Sequence, residues 1–247
     1  MSRWLAVVAV VVAFGPGVRA EDTAKDVLER AVKAHGGAEL LAKNKAGLLK
    51  AKGKIVVPGL GETDFTQEAA FVLPDKFKES VELAVLGQTI TVLTMSNGDA
   101  ITIEAAGKSV EVTDQVRSAL KAGRHMITVG RLIGPARDEG YELSPAGETT
   151  IDERPAVGVR VSKKGERDIN LFFDKQTHLL AKIEYRAPDQ DGNDLKEERF
   201  FKDYKKDAGG NMIPGKIVVL HDGKPHLTAA VTECKYLETL PDDVFKK

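Results

Sequence analysis

The sequence predicts a mainly β protein with a smaller helical part (α+β): one curved antiparallel sheet, an incomplete β-barrel of about 11 strands, with helices packed in its concave face. Three observations carry this. Apolar residues alternate with period two through most of the chain after Lys50, and short turn signals punctuate the alternation. Helical spacing is confined to residues 22–43 and 113–133.

In chain order, Ala24, Val27, Leu28, Ala31, Val32 and Ala34 recur mostly at three- and four-residue steps, the pattern of one helix face. Gly36-Gly37 ends this helix, and a short turn over 38–43 brings Leu40 and Leu41. The period then becomes two. Phe65, Ala69, Phe71 and Leu73 share one face, and the alternation returns in Phe77, Val81 and Leu83, in Ile90 and Val92, and in Ile101 and Ile103. Pro74-Asp75, Leu86-Gly87 and Asn97-Gly98 mark the turns between them. Over 113–133, Val116, Leu120, Met126, Ile127 and Val129 restore helical spacing, with Thr113 or Asp114 able to cap the first turn. Gly123 and Gly130 weaken this helix and allow a division into two pieces; it should stop before Gly134-Pro135. Strands follow around 141–144, 156–162, 169–174, 179–185, 195–204, 213–220 and 224–237. No linker or fixed-period repeat divides the chain.

The first residues, MSRWLAVVAVVVAFGPGVRA, combine Arg3, an apolar run from Trp4 to Phe14 and a small-x-small pattern at Val18-Arg19-Ala20. This is an export signal expected to be cut after Ala20, leaving one domain over 21–247. The run falls short of the roughly 18 to 20 residues of a membrane span, and no comparable run follows, so a soluble product without a transmembrane span is expected. The single cysteine, Cys234, offers neither an internal disulfide nor a lipid anchor beside the cleavage point. Removing Arg3 and Arg19 leaves 34 of the 36 basic residues against 37 acidic ones, a balance that does not suggest nucleic acid.

The stretch HDGKPH, 221–226, places two histidines and an aspartate in six positions. Asp222-Gly223 is a favoured two-residue hairpin turn, and the resulting register sets His221 opposite Lys224 and Val219 opposite His226, with both imidazoles on one side. Two ligands do not make a zinc site, and His35, His125 and His178 share no spacing that completes one. DQDGND, 189–194, lacks the closing glutamate of a calcium loop. No GxSxG elbow, Cys/His signature or GxxxxGK[ST] loop occurs, so no catalytic residues, metal or cofactor are expected and the chain is not read as an enzyme.

Apolar side chains are the positive signal. Phe71, Phe77, Val81, Ile90, Val92, Leu171, Phe173, Ile183, Phe201, Ile217 and Val219 fall largely on one sheet face, more than two short helices obviously cover. Such a face is either a packed core or a pocket for an apolar ligand. Glu79 and Arg199 share its parity, and Arg199 is a candidate contact for a ligand headgroup.

INLFFDKQTHLLAKIEY at 169–185 and ERFFKDYKKDAGGNMIPGKIVVLHDGKP at 198–225 resemble the outer-membrane lipoprotein carrier (LolA-like) superfamily. Phe173-Asp174, Thr177, Leu179-Leu180 and Lys182 match its "fD..t.lL.k.e" pattern, and Tyr204, Pro214 and Lys216 its "y.dYk...g...P.ki" pattern. Residues 72–77, VLPDKF, resemble the family's turn between two early strands. The resemblance implies a half-barrel with helices in its mouth and a cavity for acyl chains. The expected ligand is therefore a lipid, a lipoprotein acyl chain or a similar amphipath, bound by a periplasmic or otherwise exported monomer. Expected cavity-lining residues are Phe71, Phe77, Val81, Ile90, Val92, Leu171, Phe173, Ile183, Arg199 and Phe201. The alternative is a non-enzymatic envelope interaction or sensor domain with a packed barrel and a protein partner.

Overall fold

A computed structural model describes residues 22–136, 140–188 and 193–246. The expected signal peptide, 1–20, lies outside the described residues, as do positions 189–192 of the acidic DQDGND turn. Helix α1 (Ala24–Ala34) starts at Thr23, whose hydroxyl accepts the Asp26 N–H at 3.2 Å while the Asp26 carboxylate accepts the Thr23 N–H at 3.1 Å. This reciprocal capping box satisfies two backbone donors left free at the helix start. Gly36 and Gly37 then take φ of 118° and 93°, a backbone that side-chain-bearing residues rarely adopt, and the chain turns into α2 (Ala38–Lys43).

The first meander is β1 (Ala46–Val57), β2 (Gly61–Val72), β3 (Lys76–Val85), β4 (Gln88–Asn97), β5 (Ala100–Ala105) and β6 (Lys108–Val110). Helices α3 (Asp114–Gly130) and α4 (Ile133–Ala136) follow. The second meander is β7 (Tyr141–Ile151), β8 (Arg154–Lys163), β9 (Ile169–Asp174), β10 (Leu180–Pro188) and β11 (Asp194–Lys202). A small excursion, β12 (Lys205–Lys206) paired with β13 (Met212–Ile213), precedes β14 (Lys216–His221) and β15 (Lys224–Leu237).

Thirteen strands join in one antiparallel sheet, ordered β6-β5-β4-β3-β2-β1-β15-β14-β11-β10-β9-β8-β7. The sheet is curved and open: β6 and β7 are its two edges, so it is not closed into a barrel. Laid flat, its edges would stand about 58 Å apart at ~4.8 Å per strand, whereas α3 is about 25 Å long. Curvature shortens the path that the connection from β6 to β7 must cover.

The sheet exceeds the expected strand count because β6 hangs on a turn without a strong sequence signal, Ala106-Gly107, at φ of 50° and 75°. Similarly, β7 runs to Ile151 rather than ending near Ser144, since a register shift between Pro145 and Gly147 lets the strand continue past the proline. Helix α3 passes through Gly123 unbroken and ends at Gly130. The break comes at Leu132, with φ of 60°, and the short α4 then includes Gly134-Pro135 instead of stopping before it. Gly130 has a packing role, because a β-carbon there would sit 2.7 Å from Ile183 Cδ1.

The two meanders meet at β1 and β15, and Gly53 sets how closely. A β-carbon at Gly53 would fall 1.9 Å from the Thr228 carbonyl oxygen, a backbone atom that cannot rotate away. Gly53→Ala is therefore expected to strain this pairing and destabilise the protein by about 1–3 kcal/mol, seen as a lower denaturant midpoint. An unchanged midpoint would contradict the close approach.

Candidate functional site

Antiparallel register aligns the side chains of one sheet face in rows. Tyr236, Gly47, Phe71, Phe77 and Ser96 form one row; Cys234, Leu49, Ala69, Glu79 and Thr94 the next; Val231, Ala51, Gln67, Val81 and Val92 a third. The same face continues through Ile217, Phe201, Arg199 and Ile183. Helix α3 lies against this face and contributes Leu120, Arg124 and Ile127, joined by Arg131 at its C-cap, to the wall of a cavity of about 460 Å³. That volume is within the range of small-molecule sites.

Inward parity has two outcomes on this sheet. Over β8–β10 the helices cover the face, and Leu171 (0% exposed) and Phe173 (1%) pack in a core with Val27, Leu28, Met126, Val129 and Val159. These two expected lining residues therefore belong to the packed core and do not line the cavity. Over β1–β4, β11 and β14–β15, with Ile183 of β10 at the boundary, the helices leave a gap. Phe71, Phe77, Val81, Ile183, Arg199 and Phe201 line it. Ile90 and Val92 share the parity of Leu83 and Val81 but stand outside the lining, nearer the Leu86-Gly87 turn than Thr94 and Ser96, the residues of the same strand that line the cavity. Tyr236, Leu49 and Gln67 also line the cavity and were open to the same period-two reading. Arg131 carried no such signal, because its place depends on where α3 crosses the sheet.

Inward charges are partnered inside the sheet. The Glu197 carboxylate accepts the Tyr185 hydroxyl at 3.0 Å, receives Arg199 Nε and stands 3.1 Å from His221 Nε2. Burial works against its charge, yet Arg199 and these hydrogen bonds bring the Glu197 pKa down to about 2. Burial likewise opposes the Arg199 charge, but Glu197 and Tyr185 hold its pKa above the usual value. About a third of the Arg199 side chain (32%) remains solvent-accessible, in keeping with its place on the cavity wall. Glu79 is hydrogen-bonded by Gln67, and burial raises its pKa.

HDGKPH is a hairpin, with Asp222 and Gly223 at φ of 48° and 76°. Its register differs from the expected one: a shift after Val219 pairs that residue with Leu227 rather than His226, while His221 does face Lys224. The bulge brings the imidazoles into a stack with centroids 3.8 Å apart. Burial and the neighbouring His221 lower the His226 pKa to about 4. Of the two imidazoles, His221 is hydrogen-bonded to the Glu197 carboxylate, and no group of three or more His, Cys, Asp or Glu side chains suited to a metal occurs among the described residues.

The motif residues have local structural roles. Asp174 Oδ1 accepts the Gln176 N–H at 3.0 Å, the Thr177 N–H at 2.7 Å and the Thr177 hydroxyl at 2.9 Å, which closes the β9–β10 turn. Tyr204 donates its hydroxyl to the Leu180 carbonyl at 2.9 Å, while the Leu180 N–H points to His35 Nε2 at 3.4 Å. The pattern thus ties α1, β10 and the strand excursion together at one end of the cavity.

An open antiparallel sheet carrying helices over one face, with an apolar cavity between helix and strands, defines the structural class. No family model matches the sequence, and no curated protein matches it. Among solved structures, the chain is similar to a putative outer membrane lipoprotein-sorting protein domain from Vibrio parahaemolyticus, with TM-score 0.53 and 12% identity over 90% of this chain and 97% of that one. It is also similar to a LolA superfamily protein from Nitrosomonas europaea, with TM-score 0.52 and 14% identity over 92% and 99% of the two chains. A DUF1329 family protein from Desulfovibrio piger gives TM-score 0.54 and 13% identity over 92% and 98%. The fold is that of the LolA superfamily and lipoprotein-sorting structures.

Proposed function

We propose that the protein is an exported, periplasmic binding protein, without catalytic activity, that holds a lipid, a lipoprotein acyl chain or a similar amphipath in the cavity beneath α3. The observation that carries this reading is the cavity of about 460 Å³ walled by Phe71, Phe77, Val81, Phe201 and the apolar side of α3. Apolar surface left in contact with water gains free energy when an apolar chain covers it, at about 25 cal/mol per Å². The fold's likeness to a lipoprotein-sorting domain supports the same reading. In it, residues 1–20 direct export and are removed, residues 21–247 act as one domain, and the concave side of the sheet faces the helices and the ligand.

Mass spectrometry of a solvent extract from gently purified protein is expected to recover lipid in stoichiometric amount, and the emptied protein should take up an environment-sensitive lipid probe. The mature chain would lack Trp4, the single tryptophan, so the probe signal would be free of tryptophan fluorescence. Protein that is consistently empty and takes up no probe would favour the second reading, an envelope interaction or sensor domain. That reading draws on the dry core over β8–β10.

A further inference from the structure

One cavity-lining cation stands apart from the others. Arg199 is paired with Glu197, and Arg124 donates to the Gly98 carbonyl at 2.7 Å. Arg131 also lines the cavity, with its guanidinium 3.5 Å above the centre of the Tyr236 ring. Its Nε and Nη2 are buried without a hydrogen-bond partner, and no carboxylate among the described residues forms an ion pair with it. Stacking on an aromatic face orients a guanidinium but leaves its in-plane donors unused.

Among the described residues, the titratable groups facing Arg131 do not supply the missing charge: they are His35, Tyr204, Cys234 and Tyr236. Burial lowers His35 to about 4, pushes Tyr236 up to about 12, and raises Tyr204 and Cys234, so all four are neutral near neutral pH. Asp207, on the Cys234 side, is committed to the Asn211 backbone and side-chain amides at 2.8 and 3.0 Å. A fixed positive charge thus stands at one end of an apolar cavity.

We propose that Arg131 receives an oxyanionic headgroup, so that the ligand is an acidic amphiphile, a single apolar chain ending in a carboxylate or a phosphate. The inference rests on the cavity being a lipid site. The planar guanidinium offers in-plane donors to a two-oxygen acceptor, the chain runs along α3 toward Phe77 and Val81, and Tyr236 holds the guanidinium in place.

The test compares hexadecanoate, hexadecyl phosphate and the uncharged hexadecanol by calorimetry on lipid-stripped protein, for the native chain, Arg131→Gln and Arg131→Lys. The native protein is expected to bind at least one acidic ligand more than about tenfold tighter than the alcohol, the scale of one charge-assisted hydrogen bond. Which acid binds tighter separates the carboxylate from the phosphate. Arg131→Gln should erase the preference, bringing acid and alcohol to within about twofold of each other, and Arg131→Lys should retain part of it. Equal binding of acid and alcohol by the native protein, or a preference that survives Arg131→Gln with an intact thermal transition, overturns the headgroup proposal and leaves the cavity reading standing. Binding of none of the three ligands overturns both. Should Arg131→Gln not fold, the acid-to-alcohol ratio of the native protein, its partial retention in Arg131→Lys and its loss in high salt decide the matter.

Discussion

Leu171→Arg is expected to abolish the cooperative unfolding transition, whereas Val81→Arg should keep the transition and abolish lipid-probe binding. Both residues point to the same face of the sheet, but their surroundings differ. Leu171 is fully buried against Val159 and Ile183 under the helices, among apolar core side chains that cannot pair with a guanidinium. Burying an unpaired charge there costs several kcal/mol, a large share of the 5–15 kcal/mol that holds a typical domain together. Val81 is half-buried and borders the cavity, so an arginine there has space and water, and it occupies the volume an acyl chain needs. Thermal melts with probe titration check the pair. A cooperative Leu171→Arg melt would mean that the core over β9 is not dry, and full probe binding by Val81→Arg would move the ligand elsewhere.

Stability should fall as the pH drops from about 6.5 to about 4, with His35 as the principal cause. His35 is 7% exposed, its Nδ1 lies 2.8 Å from the Ala31 carbonyl, and its Nε2 accepts the Leu180 N–H. Both ring nitrogens are therefore committed in the neutral form, and burial depresses the pKa from 6.5 to about 4. The unfolded chain binds the proton first as pH falls, so stability is lost through this interval, by about 3 kcal/mol in total. His226, lowered in the same direction but partly exposed, adds a smaller loss of the same sign. Below about pH 4.5 the contribution of Glu197 goes too, because its folded pKa near 2 lies below the unfolded value of 4.5. Urea unfolding across a pH series should show this slope, and His35→Gln should flatten the first interval. A native protein equally stable at pH 7 and pH 4 would contradict the buried neutral imidazole (about 3 kcal/mol expected).

What the sequence determined by itself was local and periodic. Alternation placed Phe71, Phe77, Val81 and Phe201 on one face, helical spacing located α1 and α3, and Asp222-Gly223 and Leu86-Gly87 specified hairpins through the positive φ their residues tolerate. The "fD..t.lL" stretch was legible because Asp174 and Thr177 close their own turn within four residues. Parity, however, says which way a side chain points and not what it meets. Leu171 and Val81 read alike in the sequence; the path of α3 from the β6 edge to the β7 edge made one a core residue and the other a cavity wall. The opening of the sheet, the bulge that stacks His221 on His226 and the seating of Arg131 on Tyr236 likewise arise between segments distant in sequence. They are fixed by close approaches such as Gly53 to Thr228 and Gly130 to Ile183, where the space for one β-carbon decides the packing. No local pattern of residues carries that information, because the distance between two segments is a property of the folded whole.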